Sequence, residues 1–168
     1  LIPRPSTATI LDAALPVLEG LDHPARVADV CTGSGAIAIA LLRNLPGAHA
    51  IATDLSADAL AVARANAERH AVAERIEFRT GSLLDPFRDR PPFDAGLSNP
   101  PYIPDHEWSQ VEANVADHEP HMALRAGPDG LDLVRPLLAG APDLLRPGGV
   151  LAIEIAACTA KEVLGLAE

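Results

Sequence analysis

Aromatic residues are nearly missing from this chain of 168 residues: three Phe, one Tyr and one Trp, together 3% of the sequence. A core must therefore be built from Ala, Val, Leu and Ile, small side chains that suit close packing of helices on a sheet. Hydrophobic residues still make up 48% of the chain, enough for one folded domain with a sizeable core and against disorder. Lysine occurs once, at Lys161. Thirteen basic against 23 acidic residues leave a formal charge of −10. Arg64, Arg69, Arg75, Arg79, Arg88 and Arg90 are scattered among acids and form no basic patch, so direct nucleic-acid binding is not expected. Two cysteines, Cys31 and Cys158, are too few for a disulfide framework and follow no metal-ligand spacing. No run approaches the roughly 18 apolar residues of a membrane span, and no signal-peptide pattern opens the chain. A cytoplasmic protein without membrane contact is expected. The chain starts at Leu1 and its single methionine is Met122, which reads as a piece of something longer.

What is present is concentrated in two places. The first is Val27-Ala28-Asp29-Val30-Cys31-Thr32-Gly33-Ser34-Gly35, followed by the apolar run Ala36 to Leu42. It reads as strand, glycine loop and helix, with glycine needed where the backbone turns sharply and a ligand must approach closely. A second strand, Ala48 to Thr53, ends at Asp54, 19 residues beyond Gly35. A carboxylate there can accept from both hydroxyls of a ribose. Gly33, Gly35 and Ala38 also satisfy the dinucleotide pattern G-x-G-x-x-A, so a nicotinamide-cofactor oxidoreductase competes. Against it stands Asp29, a carboxylate inside the first strand, where a dinucleotide fold ordinarily carries an apolar residue.

The second place is Ser98-Asn99-Pro100-Pro101-Tyr102, directly after a strand-like run from Phe93 to Leu97. Two prolines stiffen the loop and keep Asn99 extended. The Asn99 side-chain oxygen and a nearby backbone carbonyl can take both hydrogens of an amino group, while the Tyr102 ring stacks on its plane. By itself such a segment is equally a proline-rich turn closing a strand.

Together, D-x-C-T-G-S-G, the acidic residue after the second strand and N-P-P-Y resemble the class I methyltransferases that use S-adenosylmethionine. More narrowly, the chain resembles the HemK-type protein-glutamine methyltransferases over nearly all its length. Leu1-Ile2-Pro3-Arg4-Pro5 is similar to that family's entry segment, and Glu119-Pro120 through Asp129-Gly130-Leu131-Asp132 to its downstream signature. The resemblance implies a Rossmann-like α/β fold: a mostly parallel sheet with helices on both faces, here one catalytic domain over 1–168. The family's N-terminal helical substrate-recruiting domain and its C-terminal strands would be absent. It also implies S-adenosyl-L-methionine contacts at Asp29, Thr32, Gly33, Gly35, Asp54, Leu55, Ser82, Leu83 and Asn99, and catalytic roles for Asn99, Pro100 and Tyr102.

The reaction so implied is methyl transfer to the side-chain amide of a protein glutamine. The expected substrate is the Gly-Gly-Gln motif of a peptide chain release factor, with a ribosomal-protein glutamine as the near alternative. Nucleic-acid amino methylation and a non-catalytic cofactor- or partner-binding domain are the other readings. Four positions depart from the family: Ser6 and Ala8 replace acids of the entry segment, Ser82 replaces an acid after Gly81, and Cys31 stands where glycine is commoner. Cys31 reads as a small lining residue of the loop rather than a nucleophile.

Along the chain, a first helix is expected from Ser6 or Thr7 to Leu18. Strands follow at Arg26–Cys31, about Ile51–Thr53, Ile76–Arg79, Asp94–Leu97 and Val150–Ile155, with Pro147-Gly148-Gly149 as the turn into the last. Helices fall at Gly35–Leu45, from a Ser56 cap to His70, and at Leu131–Leu145. Strands alternating with helices imply a parallel sheet covered on both faces. Residues 103–128 lack periodicity and read as a substrate-facing loop. Its His118-Glu119-Pro120-His121 cluster offers no third ligand, so no metal is expected.

Overall fold

The computed structural model describes residues 8–90, 92–111 and 120–167. Five parallel strands form one sheet in the order β3-β2-β1-β4-β5. They are β1 (Arg26–Val30), β2 (His49–Asp54), β3 (Ile76–Thr80), β4 (Phe93–Ser98) and β5 (Leu145–Ile153). The helices are α1 (Ala8–Glu19), α2 (Ala36–Asn44), α3 (Ala57–Arg69), α4 (Val134–Leu144) and α5 (Ala160–Ala167). β1 is paired on one side with β2 and on the other with β4, so the chain reverses its direction of winding at β1. That reversal opens a crevice at the carboxyl ends of β1 and β4, where open α/β sheets bind ligands.

Residues 27–30 of β1 and all six of β4 are buried, as expected for central strands covered on both faces. On one face Ile10, Ala14 and Leu18 of α1, Ile37, Leu41 and Leu42 of α2 and Ala67 of α3 pack on Val27, Ala50, Ala52, Ala95 and Leu97. On the other, Leu137 and Leu144 of α4 join Phe87 and Phe93 over Ala28, Val30 and Ile51. Alanine in so many positions lets helices approach closely. A Cβ on Gly35 would stand 3.1 Å from both the Ala63 Cβ and the Ile39 Cδ1, so this loop glycine also serves the α2–α3 contact.

Polar side chains close the fold at its edges. The Arg75 guanidinium donates to the carbonyls of Leu42 (2.9 Å), Leu45 (3.0 Å) and Ala48 (3.3 Å), satisfying acceptors at and beyond the end of α2. At the amino ends of the strands, buried Asp94 accepts from the Arg26 amide at 2.8 Å and lies 3.0 Å from His23 Nε2 and 3.1 Å from Arg146. Hydrogen bonds to Asp22 and Asp94 raise the His23 pKa.

Two elements, α4 and β5, differ most from the sequence expectation. α4 starts at Val134 rather than Leu131; ahead of it the Leu131 amide donates to the Asp129 carboxylate (3.1 Å) and the Asp132 amide to the Ala126 carbonyl (3.2 Å). β5 starts at Leu145, which pairs with Phe93, while Val150 pairs with Ala95. Pro147-Gly148-Gly149 is thus an irregularity inside a paired strand, and the strand ends at Ile153 rather than Ile155. The expected entry segment Leu1–Pro5, Ser6, and His118 and Glu119 lie outside the described residues.

Candidate active site

The sheet brings the sequence-predicted residues to one edge. The loop after β1 is held down by the Thr32 amide, which donates to the Thr53 carbonyl at 2.8 Å. The end of β2 is tied to β3 by the Gly81 amide, which donates to the Asp54 carbonyl at 3.0 Å. Cys31, Gly33 and Gly35 have φ of 59°, 55° and 81°, three left-handed residues in one turn. This explains the departure at Cys31: the position favours glycine, and a non-glycine residue there is strained. Burial, then the charges of Asp54 and Asp29, push the Cys31 thiol up to about 12, which keeps it protonated and unreactive.

Asp29 is fully buried. Its Oδ2 accepts from the Thr32 hydroxyl at 2.6 Å and the Ala38 amide at 3.1 Å. Its Oδ1 is buried and has no hydrogen-bond partner among the described residues. Burial raises its pKa to about 7 against the pull of Thr32 and Ala38, with the Asp54 charge adding to the rise. A buried acceptor without a donor is costly, and a bound ammonium or N–H is the kind of group that would relieve it. The Thr53 hydroxyl is a second buried polar atom without a partner among the described residues.

Asp54 spans the crevice wall. One carboxylate oxygen accepts from the Gly33 amide and the other from the Ser56 amide, each at 2.9 Å. Ser56, not Asp54, caps α3, its hydroxyl accepting from the Ala59 amide at 3.1 Å. Each Asp54 oxygen keeps a lone pair for a diol. Beside it Leu55 is 57% exposed, an apolar surface open to a planar ring. Ser82 is exposed, and Leu83, at φ 43°, turns its side chain into the cluster under α4. Asn66 of α3, which the sequence reading did not single out, donates to the Ser34 carbonyl at 2.9 Å and fixes the loop from outside.

These contacts bear on the dinucleotide alternative. In a dinucleotide site the amides of the glycine loop and of the following helix face a pyrophosphate. Here the Gly33 and Ala38 amides are taken by carboxylates, and Asp29 places a carboxylate at the start of α2. Two acids in that position disfavour phosphate and suit a cationic ligand with hydroxyls.

At the end of β4 the Ser98 hydroxyl donates to the Val30 carbonyl at 2.8 Å, so Asn99-Pro100-Pro101-Tyr102 leaves the sheet directly beside the glycine loop. Pro100 is buried and Asn99 half-buried. The chain after Tyr102 then runs alongside residues 124–127. Ile103 donates to the Leu124 carbonyl (2.9 Å), Ala126 to Ile103 (3.0 Å) and Asp105 to Gly127 (2.9 Å). Arg125 adds two bonds to Asp105 at 2.6 and 3.0 Å. Within its described residues the expected loop has helical turns at Asp105–Gln110 and His121–Ala123, with the Trp108 ring against both His121 and Arg125. Gly130 has φ 78°, and a Cβ there would stand 2.7 Å from the Tyr102 carbonyl oxygen. The downstream signature is thus a backbone support for the Asn-Pro-Pro-Tyr segment.

A family model described as "Methyltransferase small domain" matches residues 7–126, well over half of the chain. The chain belongs to the methyltransferase small domain family. It is 47% identical over 174 residues to the release factor glutamine methyltransferase of Chlorobaculum tepidum, covering 99% of this chain and 58% of that protein. It is 48% identical over 157 residues to the protein of the same name from Gloeobacter violaceus, covering 94% and 54%. The chain thus spans somewhat over half the length of the curated relatives it matches. Among solved structures, a ribosomal protein L11 methylase from Lactobacillus delbrueckii subsp. bulgaricus superposes with a TM-score of 0.65 at 22% identity, over 97% of this chain and 67% of that one. A precorrin-6y C5,15-methyltransferase from Geobacter metallireducens gives 0.67 at 12% identity, over 99% and 70%. At these identities the shared property is the class I methyltransferase fold. Among the described residues of this family member, no helix is long and apolar enough to cross a membrane.

Proposed function

We propose that the chain is the catalytic domain of an S-adenosylmethionine-dependent enzyme that methylates a protein glutamine on its side-chain amide nitrogen, with the Gly-Gly-Gln loop of a peptide chain release factor as substrate. The observation that carries this reading is the Asn99-Pro100-Pro101-Tyr102 corner standing beside a glycine loop whose buried acid, Asp29, has one oxygen without a donor. Relatives named release factor glutamine methyltransferase, at 47% and 48% identity, support the choice of substrate. The single five-stranded sheet supports one domain. A release-factor substrate would fit a cytoplasmic protein.

The residues fit the cofactor in character. Asp29 would hold its ammonium, Asp54 its ribose hydroxyls, and Gly33 and Gly35 give backbone access, with Thr32 orienting Asp29. Leu55 and Ser82 would line the side nearest β2 and β3, where Leu83 would offer only its backbone. Bound there, S-adenosylmethionine supplies a methyl group made electrophilic by its sulfonium.

The chain's own task is to present the nucleophile. An amide nitrogen is a poor one because its lone pair is delocalised into the carbonyl. The Asn99 side-chain oxygen and the Pro100 carbonyl accept the two amide hydrogens, which raises electron density on nitrogen and fixes its direction. Tyr102 stacks on the amide plane. No general base is needed before transfer, because the proton becomes acidic only as the new N–C bond forms.

The test is mass spectrometry of a release factor incubated with the chain and S-adenosylmethionine. The expected result is one added methyl on the Gly-Gly-Gln glutamine, abolished by a Gln→Ala substitution in the substrate. Cofactor binding without a methylated glutamine on any release factor or ribosomal protein would refute the reading.

A further inference from the structure

Glu154 follows the last residue of β5, and no sequence pattern drew attention to it. Its amide donates to the Ser98 carbonyl at 2.9 Å, which carries β4–β5 pairing to the point where the Asn-Pro-Pro-Tyr segment leaves the sheet. Its carboxylate turns towards the same segment and accepts from the Tyr102 hydroxyl at 3.1 Å, across 52 residues of sequence. The Tyr102 phenol thus meets Glu154, while its backbone carbonyl lies where only a glycine at 130 leaves room.

We infer that Glu154 is a positioning residue for methyl transfer, holding the Tyr102 ring against the substrate amide. The inference rests on the glutamine-methylation reading for its kinetic arm, but not for its structural one. A ring held only by packing can tilt about its side-chain torsions. A hydrogen bond from the phenol to an acid anchored on the sheet restricts that freedom. Because Glu154 is fixed to Ser98 by its backbone, β5 sets the angle of the ring relative to β4. Small misplacements of a reacting group are expensive: about 1 Å costs on the order of 100-fold in rate.

Tyr102 is the only tyrosine, so fluorotyrosine incorporated throughout the chain gives a single fluorine resonance that reports on this ring alone. Glu154→Ala should shift and broaden that resonance, whereas Glu154→Gln, which keeps an acceptor oxygen, should stay close to the unsubstituted chain. An unchanged spectrum in Glu154→Ala would overturn the inference, whether or not the chain methylates anything. In turnover, Glu154→Ala should lower kcat by about 10- to 100-fold with affinity for S-adenosylhomocysteine nearly unchanged, and Glu154→Gln should recover most of the loss. The double variant Tyr102→Phe with Glu154→Ala should be no slower than Tyr102→Phe alone. Additive losses, or a fall in cofactor affinity matching the fall in kcat, would contradict a role acting through Tyr102. If Glu154→Ala does not fold, Glu154→Leu, which keeps the bulk of the side chain without an accepting oxygen, carries the same comparison.

Discussion

Replacing Asp29 with asparagine should make the ligand-free chain more resistant to unfolding at neutral and alkaline pH while ruining its affinity for cofactor. The carboxyl is fully buried and titrates near 7 in the folded chain, against an ordinary value of 3.8. A folded-state pKa raised above the unfolded one stabilises the fold fully below about pH 4, and that contribution is lost as pH rises through about 7. At about 1.4 kcal/mol per pH unit, the interval sets a ceiling of roughly 4 kcal/mol on the loss. Asparagine does not titrate, and its oxygen can still accept from the Thr32 hydroxyl and the Ala38 amide. Its NH2 then takes the position of the Oδ1 that has no partner, at a cost that does not vary with pH. Denaturant midpoints measured for both proteins from about pH 4 to about pH 8 should therefore diverge in favour of Asp29→Asn by up to roughly 4 kcal/mol. Saturating S-adenosylhomocysteine should close the gap, since its ammonium pairs with the ionised Asp29 only in the unsubstituted chain. A difference between the two proteins that stays constant across this pH range would refute the argument.

Three further substitutions or treatments address other parts of the site. Asn99→Ala should reduce methyl transfer by about 100- to 1000-fold with S-adenosylhomocysteine binding largely preserved, measured by single-turnover kinetics beside calorimetry; equal turnover would remove Asn99 from the mechanism. Gly130→Ala forces a Cβ towards the Tyr102 carbonyl in a left-handed conformation, so it should destabilise the chain by about 1–3 kcal/mol and slow turnover beyond that loss of folded protein. Thermal melting and activity normalised to folded fraction would separate the two effects. Iodoacetamide at neutral pH should label exposed Cys158 and spare Cys31, whose thiol is pushed up to about 12; labelling of Cys31 in the native chain would contradict its assignment as an inert loop residue.

The grouping of Asp29, the glycines and Asp54 at one end of the sheet was legible because it is local in sequence. Asp29, the glycines and Asp54 occupy the end of one strand, one turn and the end of the next strand, and residue types alone marked them. The Ser56 cap was legible for the same reason, since it satisfies an amide three residues away. Contacts between distant segments were not. Asn66 reaches Ser34 across 32 residues, and Arg75 reaches Leu42 across 33, with nothing in their own neighbourhoods to mark them. The start of α4 falls later than the spacing suggests: Leu131, Val134 and Leu138 have helical spacing and pack in one cluster, yet the helix begins only at Val134. Pro147-Gly148-Gly149 read as a turn for sound local reasons, but Leu145 pairs with Phe93 before it and makes it an interruption within a strand. The unpatterned segment after Tyr102 is ordered by pairing with residues 124–127, a parallel contact that periodicity cannot reveal.

Every role assigned to the crevice depends first on which cofactor it accepts. Calorimetric titration of the chain with S-adenosylhomocysteine, run in parallel with NAD, tests this directly. The account predicts saturable binding of S-adenosylhomocysteine at about micromolar strength, roughly −8 kcal/mol, lost in Asp29→Asn, with no response to NAD. Binding of NAD alone would contradict it, because the carboxylates now holding the Gly33 and Ala38 amides would have to give way to a pyrophosphate.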